Sequence, residues 1–82
     1  MKKEGLNTEE VDRTIIIVGR NIAKFRKIKG LSEGKLGILC GIEQASISKY
    51  ENGKVWPNLK TLSKIARSLE VHIARFFDDP DK

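Results

Sequence analysis

Four side chains near the middle of the chain, Gln44, Ala45, Ser48 and Lys49, are of the types that read the edges of base pairs. A glutamine amide can bond adenine at both N6 and N7, and a lysine ammonium can donate to guanine O6 or N7. An alanine methyl can meet the thymine methyl, and a serine hydroxyl serves either kind of edge. Steps of three and four between these positions put them on one face of a helix. That chemistry needs a short helix whose opposite face is anchored.

The surrounding stretch, SEGKLGILCGIEQASISKYENG at residues 32–53, supplies such a helix and another before it. The first starts at the capping residue Ser32, carries Leu36, Leu39 and Cys40 as its apolar face, and turns at Gly41. Gly34 and Gly37 inside it each cost about 0.5–1 kcal/mol relative to alanine, so packing has to hold it. Gly37 also permits close approach of the next helix. The second runs from about Gln44 to Asn52, with Ile47 and Tyr50 inward and Gly53 at its end. Its cap position holds Glu43, a poor capping residue whose charge nevertheless suits a helix N-terminus. Two helices meeting at a glycine turn, the second with a small, amide-bearing and basic outer face, suggest a helix-turn-helix that reads DNA.

The flanking chain has to build a scaffold. Apolar residues at 11, 15, 18, 22 and 25 mark one helical face, and Gly30 ends that helix near Lys29. Arg20, Lys24 and Lys27 lie on a solvated face. Thr14 to Val18 is a run of β-branched residues with strand propensity. A lone strand would have nothing to pair with, so the reading is helix. Ile16 and Ile17 fall off the main apolar face. Lys54 to Trp56 is a loop closed by Pro57, with the indole expected to fold onto the core edge. Asn58 caps a further helix carrying Leu59, Leu62, Ile65, Ala66 and Leu69. Val71 starts a last short helix with Ile73, Phe76 and Phe77, stopped by Asp78-Asp79-Pro80. Neighbours on a helix lie about 100° apart, so Phe76 and Phe77 cannot both be core. The expected fold is all-α: a compact bundle of five short helices over residues 14–79, with an arm at 1–13, flexible or partly helical, and a tail at 80–82.

Composition bounds the function. Eighty-two residues make one domain, and 39% hydrophobic with 33% charged residues fits a folded one. A core this small supplies about 3–5 kcal/mol, so a partner chain would help. One cysteine and one histidine exclude a disulfide within the chain and leave no set of ligands for a metal. Neither metal nor cofactor is expected. Cys40 reads as a small core residue and His72 as a helix-start residue, which leaves no catalytic constellation. The N-terminus lacks an apolar signal segment, and TIIIV is far short of the roughly 18 residues of a membrane span. A soluble protein of the reducing cytoplasm is expected. The net charge of +5 favours a polyanionic partner, nucleic acid before membrane.

From about Val18 to Phe77 the chain resembles the lambda-repressor-like DNA-binding domains of the phage repressor, Cro and XRE type. The resemblance rests on VGRNIAKFRKIKGLS, the Leu36/Gly41/Ile42 frame, SISKYENGK, PNLKTLSKIARSLEV and the terminal FF, in that order and without gaps. It implies a five-helix bundle whose second and third helices form the helix-turn-helix, and a buried ion pair between Arg26 and Glu51. It further implies a homodimer on double-stranded DNA, with recognition helices about 34 Å apart at a pseudo-palindromic site. Such a protein would be a transcriptional regulator, a repressor or autoregulator. Phosphate contacts would come from Ser32, Ser46, Asn52, Lys54, Asn58 and Lys60. Dimer candidates are Ile73, Phe76 and Phe77, then Ile16 and Ile17. The chain departs from the family pattern at Glu33, where glutamine is usual, at Glu43, where serine or threonine is usual, and at Glu70 and His72, where a glycine and a serine are usual. A carboxylate at position 33 repels phosphate. The rival class is a protein-binding module, an adaptor or antitoxin with the same fold.

Overall fold

The computed structural model describes residues 8–79. Four α-helices follow one another, α1 at Thr8–Ile28, α2 at Glu33–Cys40, α3 at Gln44–Glu51 and α4 at Leu59–Leu69. The β-branched run of residues 14–18 lies inside α1, whose buried line is Val18, Ile22 and Phe25. Because α1 starts at Thr8, residues 8–13 of the stretch set apart as an arm are its first turns. Residues 1–7 of that arm and the tail at 80–82 lie outside the described residues.

The last element is a 3₁₀ turn, Ile73–Phe77, where a fifth α-helix was expected. Five residues are too few for a sustained α-helix, and the tighter i to i+3 bonding suits short pieces. The His72 ring caps it, Nδ1 accepting from the Ala74 N–H at 3.1 Å.

The core joins all five elements: Val18, Ile22, Leu36, Ile47, Ile65 and Phe76 are fully buried. α1 packs against α3, α4 and the 3₁₀ turn, while α2 packs against α3 and α4. The rings of Phe25 and Phe76 meet at 6.1 Å in a tilted pair. Asn21 is buried beside them, its Nδ2 donating to the carbonyls of Phe76 and Asp78, each at 2.8 Å. Arg13 pairs with Asp79 a little farther along the same face of α1.

Three expectations are corrected here. Leu39 is 59% exposed rather than inward, because α2 turns Leu36, Gly37 and Cys40 to the core and Leu39 lies well round from them. Pro57, not Trp56, is the buried residue of its loop; the indole stays half-exposed. Phe76 is a core residue with no exposed surface and drops out of the dimer candidates, whereas its neighbour Phe77 is 46% exposed.

Glu70, at the C-terminus of α4, takes φ +59°, the only positive φ among the described non-glycine residues. An L side chain is strained in that left-handed region. Lys29 pairs with the Glu70 carboxylate and holds its pKa below the usual carboxylate range. Glu70→Gly is expected to relieve the backbone strain by more than the loss of this exposed pair costs. The melting midpoint should rise by several degrees in a thermal scan at neutral pH.

Candidate nucleic-acid interface

The corner between α2 and α3 is set by backbone geometry. Ser32 caps α2, its Oγ accepting from the Lys35 N–H at 3.0 Å. Gly41 turns the chain in the left-handed region at φ +72°, and the Ile42 N–H donates to the Gly37 carbonyl at 2.8 Å. The place where a Gly37 Cβ would sit is 2.4 Å from the Ile42 carbonyl oxygen, so only glycine allows this approach. α3 then starts after Glu43, whose side chain makes no cap bond.

α3 has two faces. Ile47 is fully buried and Tyr50 packs against the core cluster. On the other side Gln44, Ala45 and Lys49 are exposed, with Ser48 and Ser46 half-buried. The Asn52 amide donates to the Ser48 carbonyl at 2.9 Å and closes the helix end. Beyond it Lys54 is exposed. Asn58 caps α4, its Oδ1 accepting from the Thr61 N–H at 2.8 Å, and Lys60 stands exposed on the first turn. The residues named as phosphate contacts therefore sit at the starts of α2 and α4, in α3, or in the loop that leaves it.

α3 is fixed to the scaffold at its C-terminal end. Arg26 on α1 donates from Nε to Glu51 Oε2 at 2.6 Å and from Nη2 to Oε1 at 2.9 Å. Its Nη1 donates to the Leu31 carbonyl at 2.8 Å, which ties in the approach to α2. The side chains are only 11% and 6% exposed, a desolvated bidentate pair. The bond to Glu51 raises the guanidinium pKa further.

Two residues important to this geometry escaped the sequence reading in these roles. Gly19 on α1 lies against the end of α3: a Cβ there would be 2.3 Å from the Tyr50 carbonyl oxygen. A glycine inside the helical pattern, directly after the β-branched run of residues 14–18, was the available signal. Glu33 is half-buried, and burial first, then the Glu51 carboxylate, push its pKa above the ordinary carboxylate value. Its position was flagged only for repelling phosphate. Of the remaining dimer candidates, Ile16 is 43% exposed and lies against Gly53, while Ile17 and Ile73 are half-buried. Among the described residues no helix is long and apolar enough to cross a membrane, and no group of acidic, histidine and cysteine side chains is arranged to hold a metal ion.

Comparison with known proteins gives this corner its kin. The helix-turn-helix family model HTH_3 matches residues 22–76, which hold Arg26, all of α2, α3 and α4, and Phe76. The HTH-type transcriptional regulator PuuR of Escherichia coli K12 is 31% identical over 64 residues, 78% of this chain and 35% of that protein. An HTH_3 family transcriptional regulator from Vibrio cholerae superposes with a TM-score of 0.75 at 30% identity, covering 80% of this chain and 37% of that one. The restriction-modification controller protein C.AhdI from Aeromonas hydrophila gives 0.74 at 25% identity, covering 77% of this chain and 96% of that one. The chain spans 35% to 49% of the length of curated relatives such as PuuR and a prophage-derived Bacillus subtilis regulator. With the family model matched over most of its length, and the corner between α2 and α3 built as described, the chain belongs to the lambda-repressor-like helix-turn-helix family.

Proposed function

We propose that the protein is a sequence-specific, double-stranded DNA-binding transcriptional regulator that acts as a dimer, with α3 in the major groove. The observation that carries this reading is the split of α3 into a buried face and a polar face on a helix locked by Arg26. A rigid helix presenting Gln44, Ala45, Ser48 and Lys49 meets the requirement for direct readout. Gln44 takes adenine, Lys49 guanine, Ala45 a thymine methyl and Ser48 either edge. Ser32, Ser46, Asn52, Lys54, Asn58 and Lys60 take phosphates and set the register. Dimerisation through the exposed Phe77, with Ile16 as the second candidate surface, would place two copies of α3 on successive major grooves. The net charge of +5 supports a polyanionic ligand, and the cytoplasm is the natural compartment.

Selection of duplexes from a random-sequence library, followed by gel shifts with competitor DNA, tests the reading. Two-fold symmetric sites with half-sites about one helical turn apart are expected. The exposed Ile38 and Leu39 favour the alternative, a protein-binding adaptor. Binding to the selected duplex no tighter than to random DNA would overturn the regulator and favour that alternative. The two groups of residues should also separate. Lys54→Ala is expected to weaken binding on all sequences and to reduce the slope of log affinity against log salt by about 0.9. Gln44→Ala should instead change the preferred base at its position, at about 1–3 kcal/mol of discrimination. Equal losses on every duplex for both variants would refute this division.

A further inference from the structure

α4 has two faces as distinct as those of α3. Leu62, Ile65, Ala66 and Leu69 are buried in the core, and Lys60, Lys64 and Arg67 stand exposed on the opposite side. Steps of four and three hold the three cations in one line along the helix. Nothing within the protein balances them. α4 contains no acidic residue, and among the described residues none of the three forms an ion pair. Glu70, the carboxylate at the end of the helix, is taken by Lys29. Like charges at this spacing weaken a helix rather than support it. Arg67 in the last turn is favoured by the helix dipole, but Lys60 in the first turn lies at its positive end, and Lys64 gains nothing from it. Fold stability therefore does not account for the line.

We propose that this outward face of α4 is a track for the phosphate backbone of the DNA that flanks the recognised site. The proposal rests on the DNA-binding reading above and extends it from the site to the duplex beside it. Two observations favour DNA over an acidic protein as the occupant. The line is continuous with the phosphate contacts, since it starts at Lys60, just after the Asn58 cap, and the exposed Lys54 stands in the loop before them. From Lys60, Lys64 lies about 6 Å and Arg67 about 10 Å farther along the axis. That span takes in about two or three phosphates of one strand. The face also lacks an apolar anchor: Ser63 is the exposed residue among its cations, and Leu59, the exposed apolar side chain of α4, precedes the line. A protein partner is gripped through an apolar centre with charge at its rim, whereas a phosphate backbone needs only cations and polar donors. α1 carries a comparable line at Arg20, Lys24 and Lys27, but it runs on from the exposed Ile16, not from a phosphate contact. Contacts to the backbone add affinity without adding sequence preference. In a two-fold complex each subunit extends the footprint on its own side.

The test uses two duplexes built on the sequence selected from the random library, one trimmed to the two-fold site and one extended at each end by about one helical turn of arbitrary sequence. Three proteins are compared by fluorescence anisotropy over a salt series: wild type, Lys64→Gln/Arg67→Gln, and Arg20→Gln/Lys27→Gln, which removes the same charge from the exposed face of α1. Wild type should bind the extended duplex about tenfold more tightly than the trimmed one at low salt. Lys64→Gln/Arg67→Gln should match wild type on the trimmed duplex and lose that gain on the extended one. Its slope of log affinity against log salt on the extended duplex should be smaller by about 1.8 per subunit, about 0.9 for each phosphate released. The α1 variant should keep the gain. The substituted side chains are all exposed, so the melting curves should coincide with that of wild type. Equal affinity of wild type for the two duplexes overturns the track alone, and so does the same loss of gain in both variants. An α4 variant that behaves as wild type on both duplexes overturns it too, and turns this face over to an acidic protein partner. If none of the three proteins prefers the selected sequence to random DNA, the DNA-binding reading falls and the track with it.

Discussion

Arg26→Met is expected to leave the domain largely unfolded at neutral pH, with a loss of about 3–5 kcal/mol. Methionine keeps most of the packing of the arginine stem, so the change isolates the charge. What remains is Glu51, with a side chain only 6% exposed, and Glu33 beside it, without the cation that served both. A domain of this size has about that much stability in total. The pH dependence identifies the cause. Without Arg26 an opposing pull on the Glu33 carboxyl is gone, so its already raised folded-state pKa rises further and the folded state binds more protons than the unfolded chain. Stability then falls as pH rises from the ordinary carboxylate range. Urea titrations over a pH series should show the deficit shrinking toward acid. A deficit independent of pH would mean that lost packing, not uncompensated charge, is responsible.

Gly19→Ala is the second large effect. A methyl group there would lie 2.3 Å from the Tyr50 carbonyl oxygen and 2.8 Å from that of Glu51. Both are backbone atoms of α3, which cannot swing aside as a side chain can. Overpacking of this kind costs about 1–3 kcal/mol or more, against a gain of about 1 kcal/mol in helix propensity. The net loss should exceed what that gain offsets, because separating α1 from α3 also stretches the Arg26–Glu51 bonds. Gly34→Ala is the control. Its Cβ would meet only side chains, Gln44 at 3.3 Å and Ser32 Oγ at 3.9 Å, so propensity should win and stability should hold or rise. Chemical denaturation of the two variants side by side decides the matter. Equal stabilities would mean that α1 and α3 do not approach this closely.

These two residues also mark where the sequence was readable. The inward and outward faces of α3 follow from spacing alone, since Ile47 and Tyr50 lie three apart and Gln44, Ala45, Ser48 and Lys49 recur at steps of three and four on the opposite side. α4 reads as clearly through Leu62, Ile65, Ala66 and Leu69, but Leu59, expected on the same face, is 70% exposed at the first turn. The Arg26–Glu51 bond spans 25 residues, and no local pattern encodes it. Resemblance proposed it where periodicity was silent. Gly19 shows the same limit: a glycine is visible in sequence, but the backbone lying across it is a tertiary fact. Leu39 misled because nearly every residue of α2 is apolar or glycine, so its apolar face has no sharp edge. The inward direction was chosen by Gly37, through the close passage of Ile42. At Glu33 the sequence revealed a charge out of place, but not the carboxylate and the guanidinium around it.

The two hydrogen bonds of Asn21 have a consequence for how this protein can fail. They join α1 to the far end of the domain, across 55 and 57 residues, and the whole α2–α3 corner lies within that loop. α2, weakened by its glycines, cannot persist as an isolated helix. It exists because the circuit around it is closed. Opening the circuit at Asn21, or at the Phe76 packed beside it, therefore dissolves the reading surface together with the scaffold. Injury far from the DNA-facing residues should then reduce how many molecules are competent to bind, while each survivor keeps its sequence preference.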